Sequence, residues 1–224
     1  TIINYSAFSR CSNLLKVAIP RNVTVIEKDA FESCSSLVEI TVSEDNPNFR
    51  SAEGVLLSKE LTTLLLFPQG KGGHYEMPTG VTTIAENAFS YNEFLTSISI
   101  PDTVINIGQE AFSNCNKLYR ITIPSSVTNI ESSAFAHCKN LTSITVAPSN
   151  PNYTDQEGVV FNKDLSTLLC FPAAKSGDYT IPNSVTSITE GAFESSLNLK
   201  RLTIGNGITS ISDFAFMRCS KLSR

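Results

Sequence analysis

The chain is predicted to fold as a mostly β solenoid, and three features of its 224 residues carry that prediction. The first is a fixed period. Leu95, Ile98, Ile100, Val104, Ile107, Ala111, Phe112 and Cys115 recur 23 residues later as Leu118, Ile121, Ile123, Val127, Ile130, Ala134, Phe135 and Cys138. The second is an Ala-Phe pair that marks seven copies, ending in Phe8, Phe31, Phe89, Phe112, Phe135, Phe193 and Phe216. The third is a switch of pattern inside each copy, from alternating apolar and polar residues to an irregular segment of small and polar ones. One such copy cannot bury its own apolar side, whereas copies stacked coil on coil share a continuous core.

Each element follows from that frame. The front of a copy, such as Leu118 to Ile123, alternates and is rich in Ile and Thr, the pattern of a short half-buried strand. Pro20, Pro101, Pro124 and Pro182 end the strand, since proline offers no ladder donor. The back of a copy, such as Glu131 to Cys138, is too short for a regular helix and is expected to form one turn of α or 3₁₀ helix with the Phe driven inward. Strands contributed one per coil would be parallel, and the usual crossover hand makes the coil right-handed.

Two gaps in the Phe series are 58 residues rather than 23, so each carries an insertion, at about 43–78 and 147–182. The insertions align at an offset of 104: Asn46-Pro47-Asn48-Phe49 with Asn150-Pro151-Asn152-Tyr153, and Glu53-Gly54-Val55 with Glu157-Gly158-Val159. A 104-residue block has been duplicated. Val55–Leu57 and Thr63–Phe67 are strand-like runs separated as in a β-hairpin with a four- or five-residue loop, and the second copy has the same form. Residues 1–224 are read as a single solenoid domain, cut mid-repeat at both ends and so part of a longer array.

The repeat Leu-x-x-Ile-x-Ile-Pro-x-x-Val-x-x-Ile-x-x-x-Ala-Phe-x-x-Cys resembles the BspA-like, or treponemal-type, leucine-rich repeat family over the whole chain. Asn92 and Ser196 depart from its Cys position, and Gly205 replaces its usual Pro. The resemblance implies a curved array with a parallel sheet on its concave face and helical turns on the convex side. It also implies a bacterial cell-surface or secreted protein, or a protist homologue, whose usual proposed role is adhesion to host matrix proteins or other cells, with no catalytic residues to carry over.

The net charge of −4 lacks the dense basic stripe of a nucleic-acid groove, and no apolar run approaches a membrane span. No cofactor or metal is expected: there is no Cys-x-x-Cys, and His74 and His137 lie far apart in the array. Five of the six cysteines share one repeat position and are read as small buried thiols in preference to a disulfide ladder. His137 sits at a variable, solvent-facing position, and no Ser-His-Asp set or carboxylate pair recurs at a fixed offset, so no enzyme is expected.

Binding is the remaining class. The outward strand positions offer Lys16, Glu39, Arg120, Thr122, Thr145, Arg201 and Thr203 to a protein partner, with Tyr119 beside Arg120 as the foremost contact because Tyr and Arg are favoured at interface hot spots. The Thr and Ser column is also what β-propensity alone would place there. Phe94 and Leu197 stand where other copies are polar and are expected to pack on the preceding hairpin. A spacer that projects another domain is the alternative role.

Overall fold

A computed structural model describes residues 1–224. All its regular elements are strands, wound into a β-solenoid of about nine turns. Each regular coil carries a strand of four or five residues, then a β-turn, then a strand of two residues. The sequence Ile-Pro-x-x-Val makes that turn: the Val104 N–H donates to the Pro101 carbonyl at 3.1 Å, and Val185 to Pro182 at 3.0 Å.

The expected helical turn is absent. In its place the residue before each Ala-Phe and the residue two after it adopt left-handed φ, as at Glu110 (52°) and Asn114 (60°), or Ser133 (54°) and His137 (61°). Two left-handed residues four apart leave no room for a helical turn. Each such position costs on the order of 1–2 kcal/mol for a non-glycine residue. Coil-to-coil hydrogen bonds offset this: the Phe89 N–H donates to the Ala111 carbonyl and Phe112 to Ala134, both at 2.8 Å.

The Phe rings stack as the one-strand offset between coils requires. Phe89 and Phe112 lie 4.8 Å apart at 13°, and Phe112 and Phe135 5.5 Å apart at 9°. Of the repeat-position thiols, Cys34, Cys115 and Cys138 are buried, and these and half-buried Cys219 each donate to the carbonyl of the Phe one coil back, Cys115 to Phe89 at 3.2 Å and Cys138 to Phe112 at 3.0 Å, whereas Cys11 is exposed. All six cysteines are free. Asn92, in a Cys position, satisfies four backbone groups instead, donating to Pro68 and Lys71 and accepting from Phe94 and Leu95.

The insertions change the stack more than a hairpin would. Phe49–Ala52, Val55–Ser58 and Thr63–Leu66 form an antiparallel meander whose last strand joins the short strands Thr83–Ile84, Asn106–Ile107 and Asn129–Ile130 in parallel. Tyr153–Gln156, Val159–Asn162 and Thr167–Cys170 repeat this. The middle strand is buried on both faces. Leu56 packs into the core of the first coils and Val55 and Leu57 into the central core; Val160 packs into the central core and Val159 and Phe161 into the last one. Period-2 alternation thus makes each insertion a wall between cores, and the expected continuous core is divided into three.

The long strands do not form one parallel sheet. They pair two by two: Lys16–Ile19 with Glu39–Val42, Gly73–Glu76 with Leu95–Ser99, Arg120–Ile123 with Ser143–Val146, and Gly177–Thr180 with Leu199–Thr203. At the insertions the reason is plain. A two-residue turn, Glu53-Gly54 or Glu157-Gly158, with both φ positive as the tight hairpin turn demands, takes the coil's place in the row. The Ile40 N–H donates to the Gly54 carbonyl at 2.9 Å and Ile144 to Gly158 at 3.0 Å. A Cβ on Gly158 would stand 2.4 Å from the Ser143 hydroxyl oxygen, so only glycine fits there.

Candidate binding face

Parallel pairing in register sets the outward side chains of the long strands side by side across coils. Lys16 lies opposite Glu39, and its ammonium reaches the carboxylate at 2.5 Å. Thr122 lies opposite Thr145, and Arg120 opposite Ser143. Arg201 lies opposite Asp178 with an ion pair of 3.6 Å, and Thr203 opposite Thr180. Tyr119 is half exposed (52%), and the Arg120 guanidinium sits 5.6 Å from its ring centroid, within cation–π range. Because the strands pair two by two, these residues fall into separate ladders. Lys16 with Glu39, Tyr119 with Arg120, Thr122 and Thr145, and Arg201 with Thr203 are three patches.

Two groups of side chains escaped the sequence reading. His74 stands on Gly73–Glu76 in register with Ser97, its Nδ1 2.9 Å from the Ser97 hydroxyl and its Nε2 3.2 Å from Glu76. Hydrogen bonds from Ser99 and then His74 hold the Glu76 carboxyl below its ordinary range. His74 precedes Ser97 by 23 residues, so the repeat offset locates it once the insertion is seen to rejoin the frame before Tyr75. Lys200, Lys221 and Ser223 join Asp178 and Arg201 around an open polar depression on the last coils.

Phe94 is exposed above Gly72, with the Lys117 ammonium 5.1 Å from its ring. Leu197 is half-buried. His137 is likewise not solvent-facing: Nδ1 lies 2.6 Å from the Ser195 hydroxyl and Nε2 3.1 Å from Glu194, in the next regular coil beyond the second insertion. Ser, His and acid meet here, but Ser195 is buried, its N–H is spent on the Met217 carbonyl, and it lines none of the cavities described below. The arrangement is a clasp between coils. No three His, Cys, Asp or Glu side chains converge as metal ligands, and no helix is long and apolar enough to cross a membrane.

Stacked 23-residue coils, Phe rungs and a row of exposed strand positions define a leucine-rich repeat protein. The chain belongs to the family described as the BspA type leucine rich repeat region, whose model matches six copies over residues 1–53, 71–170 and 168–224. Repeats of this type occur in bacterial surface proteins and typically mediate protein interactions; the family is typically non-enzymatic.

Among solved structures, the pneumococcal vaccine antigen PcpA matches with a TM-score of 0.70 at 23% identity over 100% of this chain and 55% of its own. A leucine rich cell surface protein of Faecalibacterium prausnitzii matches at 0.68 and 26% over 96% of this chain and 62% of its own. A leucine-rich repeat protein of Eubacterium ventriosum matches at 0.61 and 27% over 92% of this chain and 52% of its own. This chain therefore spans between half and two thirds of the length of the structures it matches. No curated protein matches it.

Proposed function

We propose that residues 1–224 are one solenoid domain of a bacterial cell-surface or secreted adhesin, non-enzymatic, that binds a host matrix or cell-surface protein through the outward face of its long strands. The observation that carries this reading is the exposed Tyr119–Arg120 pair beside Thr122 and Thr145. An amphipathic aromatic and a planar cation stand free above a flat, polar, self-supporting ladder. The membership of a repeat family found in surface proteins supports it. Lys16, Glu39, Arg201 and Thr203 extend the contact to neighbouring ladders.

The test is adhesion of the parent protein to immobilised matrix proteins and to cells, with Tyr119→Ala and Arg120→Ala introduced together. A tenfold or greater loss of adhesion with an unchanged melting temperature is expected. Full adhesion by the double variant removes the assignment. A spacer role is the second reading. The Lys16–Glu39 and Asp178–Arg201 pairs favour it, because they satisfy one another and leave less for a partner. A spacer keeps its parent's activity when this face is altered and loses it when coils are deleted.

A further inference from the structure

The turn side of the solenoid has two notches, and they arise where the rungs run out. Coil after coil, the N–H groups of the residue before Ala-Phe, of the Phe itself and of the residue two beyond donate to carbonyls of the next coil. Asn87, Phe89 and Tyr91 donate to Gln109, Ala111 and Ser113 in this way. An insertion-bearing coil supplies Phe67 as a ring but no matching turn segment. The N–H groups of Asp29, Phe31 and Ser33 therefore make no hydrogen bond within the protein, and the ring stack breaks between Phe31 and Phe67.

Beside this row of free donors lies a cavity of about 230 Å³, floored by Phe49, Leu56, Leu65 and Leu66. That exceeds the roughly 150 Å³ of an engineered cavity that admits benzene, and it falls below the roughly 300–1,000 Å³ of pockets that enclose a whole small molecule. It is the right size for one large side chain. Its rim carries Glu27, Asp29, Glu32 and Glu86 against Lys28 alone, four formal negative charges against one positive, a net of −3. Lys28 and Glu86 meet across the mouth at 2.5 Å, but both are exposed, and such pairs hold little free energy against an incoming group.

The second notch, 104 residues on, is an internal comparison. Ser133, Phe135 and His137 have the same free N–H groups. There the His137 ring reaches Ser195 and Glu194, and the Tyr153 hydroxyl, in the place of Phe49, donates to the Thr128 carbonyl and accepts from the Ile130 N–H. The cavity shrinks to about 180 Å³, and Ser132 and Ala136 replace the rim residues Lys28 and Glu32. Both notches are bridged across the insertion, the first by the exposed Lys28–Glu86 pair and the second by the largely buried His137 and Glu194.

We infer that the first notch, once the exposed Lys28–Glu86 pair yields, captures an extended basic segment of a partner protein, which supplies the missing turn segment. Its carbonyls accept from Asp29, Phe31 and Ser33, one bulky apolar side chain enters the cavity, and flanking Lys or Arg residues meet the acidic rim. Backbone pairing of this kind gives affinity while the pocket gives selectivity. Neither Tyr119 nor Arg120 lines this cavity, and the site does not rest on their role.

The probe is a capped, fluorescein-labelled Lys-Thr-Phe-Thr-Lys pentapeptide, read by anisotropy against the whole chain. Saturable binding is expected, weakened at least tenfold by Ala in place of the central Phe, by Glu in place of both Lys, or by Glu32→Lys with Glu86→Lys in the protein. Tyr119→Ala with Arg120→Ala leaves it unchanged. Amide exchange at Asp29, Phe31 and Ser33, followed by NMR, is expected to slow on adding peptide, while Ser133, Phe135 and His137 do not respond. Absence of saturable binding, indifference to the Glu32 and Glu86 changes, or unaltered exchange at those three amides overturns the inference.

Discussion

His137 and Glu194 face one another at 3.1 Å across the second insertion, 57 residues apart in sequence, with both side chains largely out of water. The contact ties together two regular coils that share no turn-side backbone bond. Burial, aided by Arg218, lowers the His137 pKa below its ordinary value, and burial raises that of Glu194. The unfolded chain therefore protonates His137 first. Stability from this group is intact above about pH 6.5 and is lost as pH falls toward the folded value. Glu194 acts in the opposite sense, since the folded state keeps its proton longer. On acidification from pH 7 to 5.5 the wild type is expected to lose melting temperature, His137→Gln to lose less, and Glu194→Gln to lose more, as followed by circular dichroism.

The Phe ladder gives a graded test of the stack. Phe112 is fully buried between two rings, so Phe112→Ala should cost about 3–5 kcal/mol. Phe214 is 61% exposed, and Phe214→Ala should change stability by about 0.5 kcal/mol or less. Urea unfolding of the two variants measures the difference.

Asn150 donates from its amide to the Pro124 and Val127 carbonyls and accepts from Asn152 and Tyr153, wholly buried. Asn150→Ala takes the side-chain partner from the Val127 carbonyl and the Asn152 and Tyr153 N–H groups, at about 1–3 kcal/mol for each buried one, and leaves the Pro124 carbonyl with the Val127 N–H alone. A loss of at least about 3 kcal/mol in urea unfolding is expected, far more than an alanine at exposed Asn140 would cause.

Ser196 occupies a Cys position, and its buried hydroxyl has no partner. Ser196→Cys replaces an unsatisfied polar group with a small apolar thiol, and a gain of about 1 kcal/mol is expected. Thermal unfolding under reducing conditions checks it.

Thiol reactivity should follow burial. Cys11 is exposed, whereas Cys34, Cys115 and Cys138 are buried, and burial raises the pKa of Cys34 and Cys115. A maleimide is expected to label Cys11 in the native protein and the other three only after denaturation, with mass spectrometry assigning the sites.

The coil is legible in the chain because its signal is local and repeated. The offset of 23 between Phe89, Phe112 and Phe135 demands equivalent rings one strand apart, and the structure stacks them so. The outward positions followed from the period-2 alternation of Arg120–Ile123. The turn conformation did not, because Ser133 and His137 show no sign in their identity that both take left-handed φ; the close approach of the next coil imposes it.

Sequence by itself determined the repeat, the inward set of Leu, Ile, Ala and Phe, and the two insertions. Tertiary structure decided what the insertions do. Whether Leu56 and Leu57 face one core or two depends on where the meander lies between coils, and that is a matter of packing across sequence distances no period reports. The same holds for the notches. Asp29, Phe31 and Ser33 look like their counterparts in every other copy, and only the absence of a neighbour's carbonyl in space leaves their N–H groups unbonded.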